Sequence, residues 1–150
     1  MSIAASDLLY YQSNNAGSTG GTISALQIVD ATLNNLFPDV SGDGAVTGQK
    51  DYRKVFVKNN HSTLTLMNPL LWLLRQAQDD DVCSIALGTV NDSNPTSLNF
   101  VSPLDKTSGL SFPDLAPGQS QGFWILRTTP PNAKAFPAAS IQVVVEGDTL

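Results

Sequence analysis

Short runs of alternating apolar and polar residues recur along this chain, parted by Gly, Pro, Asn, Asp and Ser clusters at intervals of about ten residues. That rhythm predicts strands. Asp7–Gln12 reads as a first strand and Ser24–Val29 as a second. Leu33–Phe37 reads as irregular chain or a short helical turn, ended by Pro38. Tyr52–Asn59 has the clearest alternation: Val55 and Val57 share one side with Arg53, and Phe56 lies on the other between Lys54 and Lys58. The polar turn Asn59-Asn-His-Ser62 leads into Thr63–Met67, so these two runs predict a β-hairpin, broken at Asn68-Pro69. Leu70–Gln76 resumes as a buried strand or one helical turn. Val82–Val90 reads as a core strand, Ser97–Val101 as a short one and Pro103–Pro117 as a long connection. Gly122–Thr128 is apolar on both faces and therefore central, and Ile141–Glu146 closes the chain with Ile141, Val143 and Val145 on one face. Roughly seven to nine short strands, with few segments able to hold a helix, predict an all-β antiparallel β-sandwich. Ig-like and jelly-roll-like connectivity both fit, with long loops and residues 1–150 forming one domain.

Composition sharpens this picture. Charged residues are only 14% of the chain, against 41% hydrophobic, and Asn, Ser, Thr and Gly take the place of charge. Such a surface is polar yet weakly charged, as suits one that meets other protein. The net charge of -5 and the lack of a basic stripe argue against direct nucleic-acid binding. No apolar run approaches the ~20 residues of a membrane span, and the first residues do not form a signal peptide, so no membrane partner is expected. Cys83 is the only cysteine and lies in an apolar run without basic neighbours, which predicts a buried structural thiol.

Candidate chemistry is sparse. Asp39, Ser41 and Asp43 alternate and Gly44 occupies the sixth place of a calcium-type loop, but Lys50 stands where a bidentate carboxylate belongs. Asp51, one place further on, is the residue that a weak, distorted calcium site would recruit. The segment resembles a dockerin repeat, present once and without the flanking helix. It reads better as a polar connection between strands. Asp79-Asp-Asp81 predicts a solvated turn, and His61, the only histidine, an exposed turn residue. No Gly-x-Ser-x-Gly elbow and no phosphate-cradling loop ending in Lys-Ser or Lys-Thr is present. Gly17 to Gly21 lies in a stretch, Ser13–Thr22, that is flexible by composition. These readings assign no catalytic, cofactor-binding or metal residue.

Three stretches in order carry a family likeness. They are Leu9-Tyr-Tyr-Gln-Ser-Asn-Asn with Gly20-Gly-Thr-Ile-Ser, then Leu36-Phe-Pro-Asp-Val-Ser-Gly with Asp51-Tyr-Arg-Lys-Val-Phe-Val-Lys-Asn-Asn-His-Ser-Thr-Leu-Thr-Leu, then Leu115-Ala-Pro-Gly-Gln-Ser-Gln-Gly-Phe-Trp-Ile-Leu-Arg-Thr-Thr-Pro-Pro-Asn-Ala. Together the arrangement resembles small virion structural proteins of tailed bacteriophages, of the Ig-like or related β-sandwich kind. The resemblance implies a capsid decoration (cement) protein, made in the host cytoplasm and assembled on the virion. Its implied partners are the major capsid protein or other virion proteins, with homo-oligomers in the particle, no cofactor and no catalysis. It points to no individual functional residue. A neck, tail or baseplate component is the alternative within the virion, and a calcium- or carbohydrate-binding adhesion module the alternative of another class. Residues 1–6 are the expected flexible arm, and Ser13–Thr22, Asp39–Lys50 and Pro103–Gln119 are loops long enough to reach a partner.

Overall fold

The computed structural model describes residues 1–76, 80–135 and 140–150, with the side chain of residue 75 left aside. Among these described residues, eight strands and one short α-helix follow in the order β1 (Leu8–Ser13), β2 (Ile23–Gln27), α1 (Gly42–Thr47), β3 (Gln49–Asn59), β4 (Leu66–Arg75), β5 (Val82–Leu87), β6 (Leu110–Ser111), β7 (Ser120–Thr129) and β8 (Gln142–Thr149), with 3-10 turns at Ala5–Asp7 and Ala16–Ser18. They form an all-β sandwich of two antiparallel sheets, one ordered β2-β1-β3-β7-β5 and the other β6-β4-β8. The longest ladder joins β3 and β7, from Gln49 opposite Thr129 to Lys58 opposite Ser120. β7 is flanked on both sides, as its two apolar faces predict. From β3 onward each successive strand belongs to the other sheet.

The pleat sends Val55, Val57, Ile85, Phe123 and Ile125 from the large sheet onto Leu66, Leu71 and Leu73 of β4, and these residues form the buried core. Cys83 is buried among them, and Ile141, Val143 and Val145 pack against the same cluster. Each fully buried side chain of this kind contributes about 1.5–3 kcal/mol relative to exposure, so the inner faces fix the register. Tyr10 of β1 packs edge-on against Phe123 at 6.3 Å between ring centroids. Burial, helped by the charge of Asp30, pushes its hydroxyl up to about 12, so it stays neutral.

The predicted hairpin between Tyr52–Asn59 and Thr63–Met67 is not formed. β3 pairs with β1 and β7, whereas β4 lies in the opposite sheet between β6 and β8. The polar turn is a corner between sheets, and two of its side chains, Asn59 and His61, look inward while Asn60 and Ser62 stay exposed. Buried Asn59 donates from Nδ2 to the carbonyls of Leu64 (2.8 Å) and Leu115 (2.9 Å), and its Oδ1 accepts from the His61 N–H. His61 Nδ1 in turn accepts from the N–H groups of Thr63 (3.2 Å) and Leu64 (3.0 Å). His61 is therefore a half-buried structural acceptor rather than an exposed turn residue.

Asn68-Pro69 does not break its strand either. Met67 pairs with Asp148 and Leu70 with Glu146, so β4 carries one extra residue at a bulge. Asn68 adopts φ 49°, and its N–H donates to Asp114 Oδ1 at 2.8 Å. Pro69, which has no N–H to donate, sits where the ladder is already interrupted. Ser97–Val101 forms no strand: Val101 makes only an isolated bridge to Ile85. Pro103–Pro117 contains the short strand β6. The expected N-terminal arm is partly tied down, since the Ile3 N–H donates to Thr149 Oγ1 at 3.2 Å and Ile3 packs on the core.

Candidate functional site

The outer face of the large sheet is not a solvated surface. Tyr52, Lys54 and Phe56 of β3 stand opposite Leu126, Trp124 and Gly122 of β7 on that face. Phe56, Trp124 and Leu126 are buried, and so is Lys54, at 0% exposure. Covering them are the segment after β1 and the segment after β5. The Lys54 ammonium lies 2.5 Å from Asp92 Oδ1 and donates to the carbonyls of Gly21 and Thr89, each at 2.8 Å. It also sits 4.8 Å from the Phe56 ring centroid and 6.0 Å from that of Trp124. The Trp124 indole N–H donates to Asp92 Oδ2 at 3.0 Å. Removing an ammonium from water costs several kcal/mol, and this shell of carboxylate, carbonyls and ring faces offsets it. Burial pushes the Asp92 carboxyl up, but the hydrogen bonds from Lys54 and Trp124 and the Lys54 charge outweigh it and hold it below its ordinary value.

Glycines make the close approach possible. A Cβ on Gly20, whose φ is +132°, would lie 2.7 Å from Ser93 Cα, and one on Gly122 would lie 3.0 Å from Lys54 Cε. The Gly21 N–H donates to the Asp92 carbonyl at 2.9 Å, and Ser18 and Ser13 are buried beneath. The Ser13–Thr22 segment, flexible by composition, is thus a packed cover. Lys54 and Asp92 were not legible as partners, although the doubly apolar β7 signals that something must cover its second face.

At one end of the sandwich a second charged group gathers on the inner face. The Arg127 guanidinium reaches Asp51 Oδ2 through Nη2 (2.7 Å) and Nε (3.2 Å), with Asp81 Oδ2 at 3.9 Å. It lies 4.8 Å from the Phe37 ring centroid, and Arg53 lies 5.5 Å from the same ring. Asp81 is buried, so it is not part of a solvated acidic turn; Asp80 accepts from the Lys134 N–H at 2.8 Å, and Asp79 lies outside the described residues.

The calcium-type segment has become structure of another kind. Ser41 caps α1, its Oγ accepting from the Gly44 N–H at 3.0 Å, and Asp43 occupies the first helical turn. Asp51 is held by Arg127 and by Gln49 Nε2 at 2.8 Å. Asp39 and Asp43 remain exposed. Among the described residues, no three His, Cys, Asp or Glu side chains come together as a metal-binding group. No described helix is long and apolar enough to cross a membrane.

The borders of the sheets present a different kind of surface. β2 ends the large sheet, and it carries neither charge nor proline. Leu26 on β2 is 63% exposed, and Val29 and Leu33 in the segment that follows are 60% and 72% exposed. An uncharged edge strand is a template for pairing with another chain. Comparison with family models, with curated proteins and with solved structures finds no match.

Proposed function

We propose that this chain is a structural protein of a tailed-bacteriophage particle, a capsid decoration protein that docks on the head and stabilises it. The β2 border carries this reading. Its strand has no Lys and no Pro to block an incoming strand, and Leu26, Val29 and Leu33 stand exposed beside it. Low overall charge supports the same reading, because a weakly charged surface loses little solvation when a partner covers it. The likeness of three sequence stretches to virion proteins supplies the particle. The partner is then the major capsid protein or a neighbouring virion protein, met by several copies of this chain. A neck, tail or baseplate position would use the same border and differ in copy number. A calcium-dependent adhesion module is the weaker reading, since Ser41 caps α1 and Asp51 is paired with Arg127.

The test is a Leu26→Asp/Val29→Asp variant added to particles that lack the protein. Occupancy should fall by about tenfold or more, as for loss of apolar anchors at an interface, with the circular dichroism spectrum and melting temperature unchanged. Unchanged occupancy would remove β2 as the docking border.

A further inference from the structure

We propose that the open cleft between β1, β3 and the 34–38 segment is a binding site for a carboxylate, with Arg53 as its cation. The cleft has a volume of about 360 Å³. Gln12 and Arg53 enter it from two neighbouring strands, Asn34 and Asn35 face them, and Leu36 and Pro38 stand beside. No acidic side chain lines it among the described residues.

Arg53 is the reason for the assignment. Two other cations of the large sheet have carboxylates, Lys54 with Asp92 and Arg127 with Asp51, while half-buried Lys58 lies over the Tyr11 ring at 5.9 Å. Arg53 is half-buried on the inner face and has none among the described residues. Its Nη1 donates to the carbonyl of Tyr52 at 2.9 Å, while its Nε is buried and meets no acceptor. A charge withdrawn from water without a counter-charge is unfavourable, and a chain with 13 acidic residues had ample means to supply one. Phe37, at 5.5 Å, gives the guanidinium a flat surface to lie on, which limits its orientations before any ligand arrives.

The surroundings select a carboxylate over a phosphate. Phosphate sites gather several cations or the N–H groups of a helix N-terminus. Here one guanidinium stands among neutral amides, and the N-terminus of α1 is closed by Ser41. One planar cation among neutral amides matches the charge of a single carboxylate. Gln12 Nε2 already donates to the Asn35 carbonyl (3.4 Å) and Asn35 Nδ2 to the Val29 carbonyl (2.8 Å), which leaves Asn34 as the amide without such a bond. The carboxylate can belong to a small acid or to the end of a polypeptide, and this site stands independently of the β2 border.

The test is a titration of the ¹⁵N-labelled protein, following the Arg53 Nε–H and the side-chain amides of Gln12, Asn34 and Asn35. Succinate, its diamide and chloride are the small probes; a Gly/Ser peptide with a free or an amidated C-terminus is the other arm. Succinate or the free-ended peptide should give saturating shifts that the diamide, the amidated peptide and chloride do not. Tighter binding of succinate assigns a small acid, and tighter binding of the free-ended peptide a chain terminus. Arg53→Gln should weaken binding by about 10- to 100-fold, the range for losing a hydrogen bond to a charged group, with Arg53→Lys between. Absence of saturation with both carboxylates would overturn the proposal, as would equal shifts from acid and diamide or undiminished binding by folded Arg53→Gln.

Discussion

Arg53 and Lys54 are consecutive residues on one strand, and the pleat sends them to opposite faces of the same sheet. Their fates differ completely. Lys54 is fully enclosed and has a carboxylate, carbonyls and two ring faces around it. Arg53 is half-enclosed and has one backbone carbonyl and one ring. The first arrangement clamps two loops onto the sheet. The second leaves a cation at the wall of an open cleft. Burial of charge is thus structural at Lys54, where the partners are built in, and the proposed carboxylate would supply the partner that Arg53 lacks.

The sharpest way to break this comparison is to remove each cation in turn. Lys54→Met should destabilise the fold by about 3 kcal/mol, the low end for breaking a buried pair because Asp92 keeps some solvent contact. Denaturant midpoints would measure it, and adding Asp92→Asn should recover part of the loss. Trp124→Phe removes one donor to Asp92 and should cost about 1.5–3 kcal/mol, the range for a hydrogen bond to a charged group. His61→Ala leaves the Thr63 and Leu64 N–H groups at the corner without their acceptor and should cost about 1 kcal/mol. Arg53→Met should change stability by less than about 1 kcal/mol, since only a ring contact and one hydrogen bond are lost. A large loss at Arg53 matched by a small one at Lys54 would invert the comparison.

Acidity tests the same contrast. The Asp92 carboxyl titrates below its ordinary value in the folded protein, so the unfolded chain binds the proton more readily. The pair therefore stabilises fully above about pH 4, and that contribution is lost as pH falls towards the folded value. Lys54→Met should flatten this acid slope. A smaller slope persists from Asp105, whose carboxyl is held low by hydrogen bonds from the Ser108 hydroxyl and N–H.

Much of the sandwich was legible in the residues. Alternation in Tyr52–Asn59 and Ile141–Glu146 placed Val55, Val57, Val143 and Val145 on inner faces, and the doubly apolar Gly122–Thr128 announced a central strand. Alternation says which side a residue faces and not which strand lies beside it, so the crossing from β3 to β4 was hidden. Asn59 and His61 look like a surface turn by composition, and only the carbonyls they meet make them a corner. Pro69 signals a break because it cannot join a ladder, and a bulge satisfies the same constraint without ending the strand. The Gly, Ser and Asn of Ser13–Thr22 suggest mobility, but small residues are also what permits tight packing over Lys54. Arg53 on the same side as Val55 and Val57 was visible from the start. A cation on a core face was the one trace of the cleft in the sequence.

The proposed docking role is tested most directly by quantitative mass spectrometry that counts copies of this chain in tailed-phage particles purified from the source of the sequence. A capsid decoration protein should be present in tens to hundreds of copies per particle. Its absence from purified particles would contradict the account, and a count of only a few would move it from the head to the neck or tail.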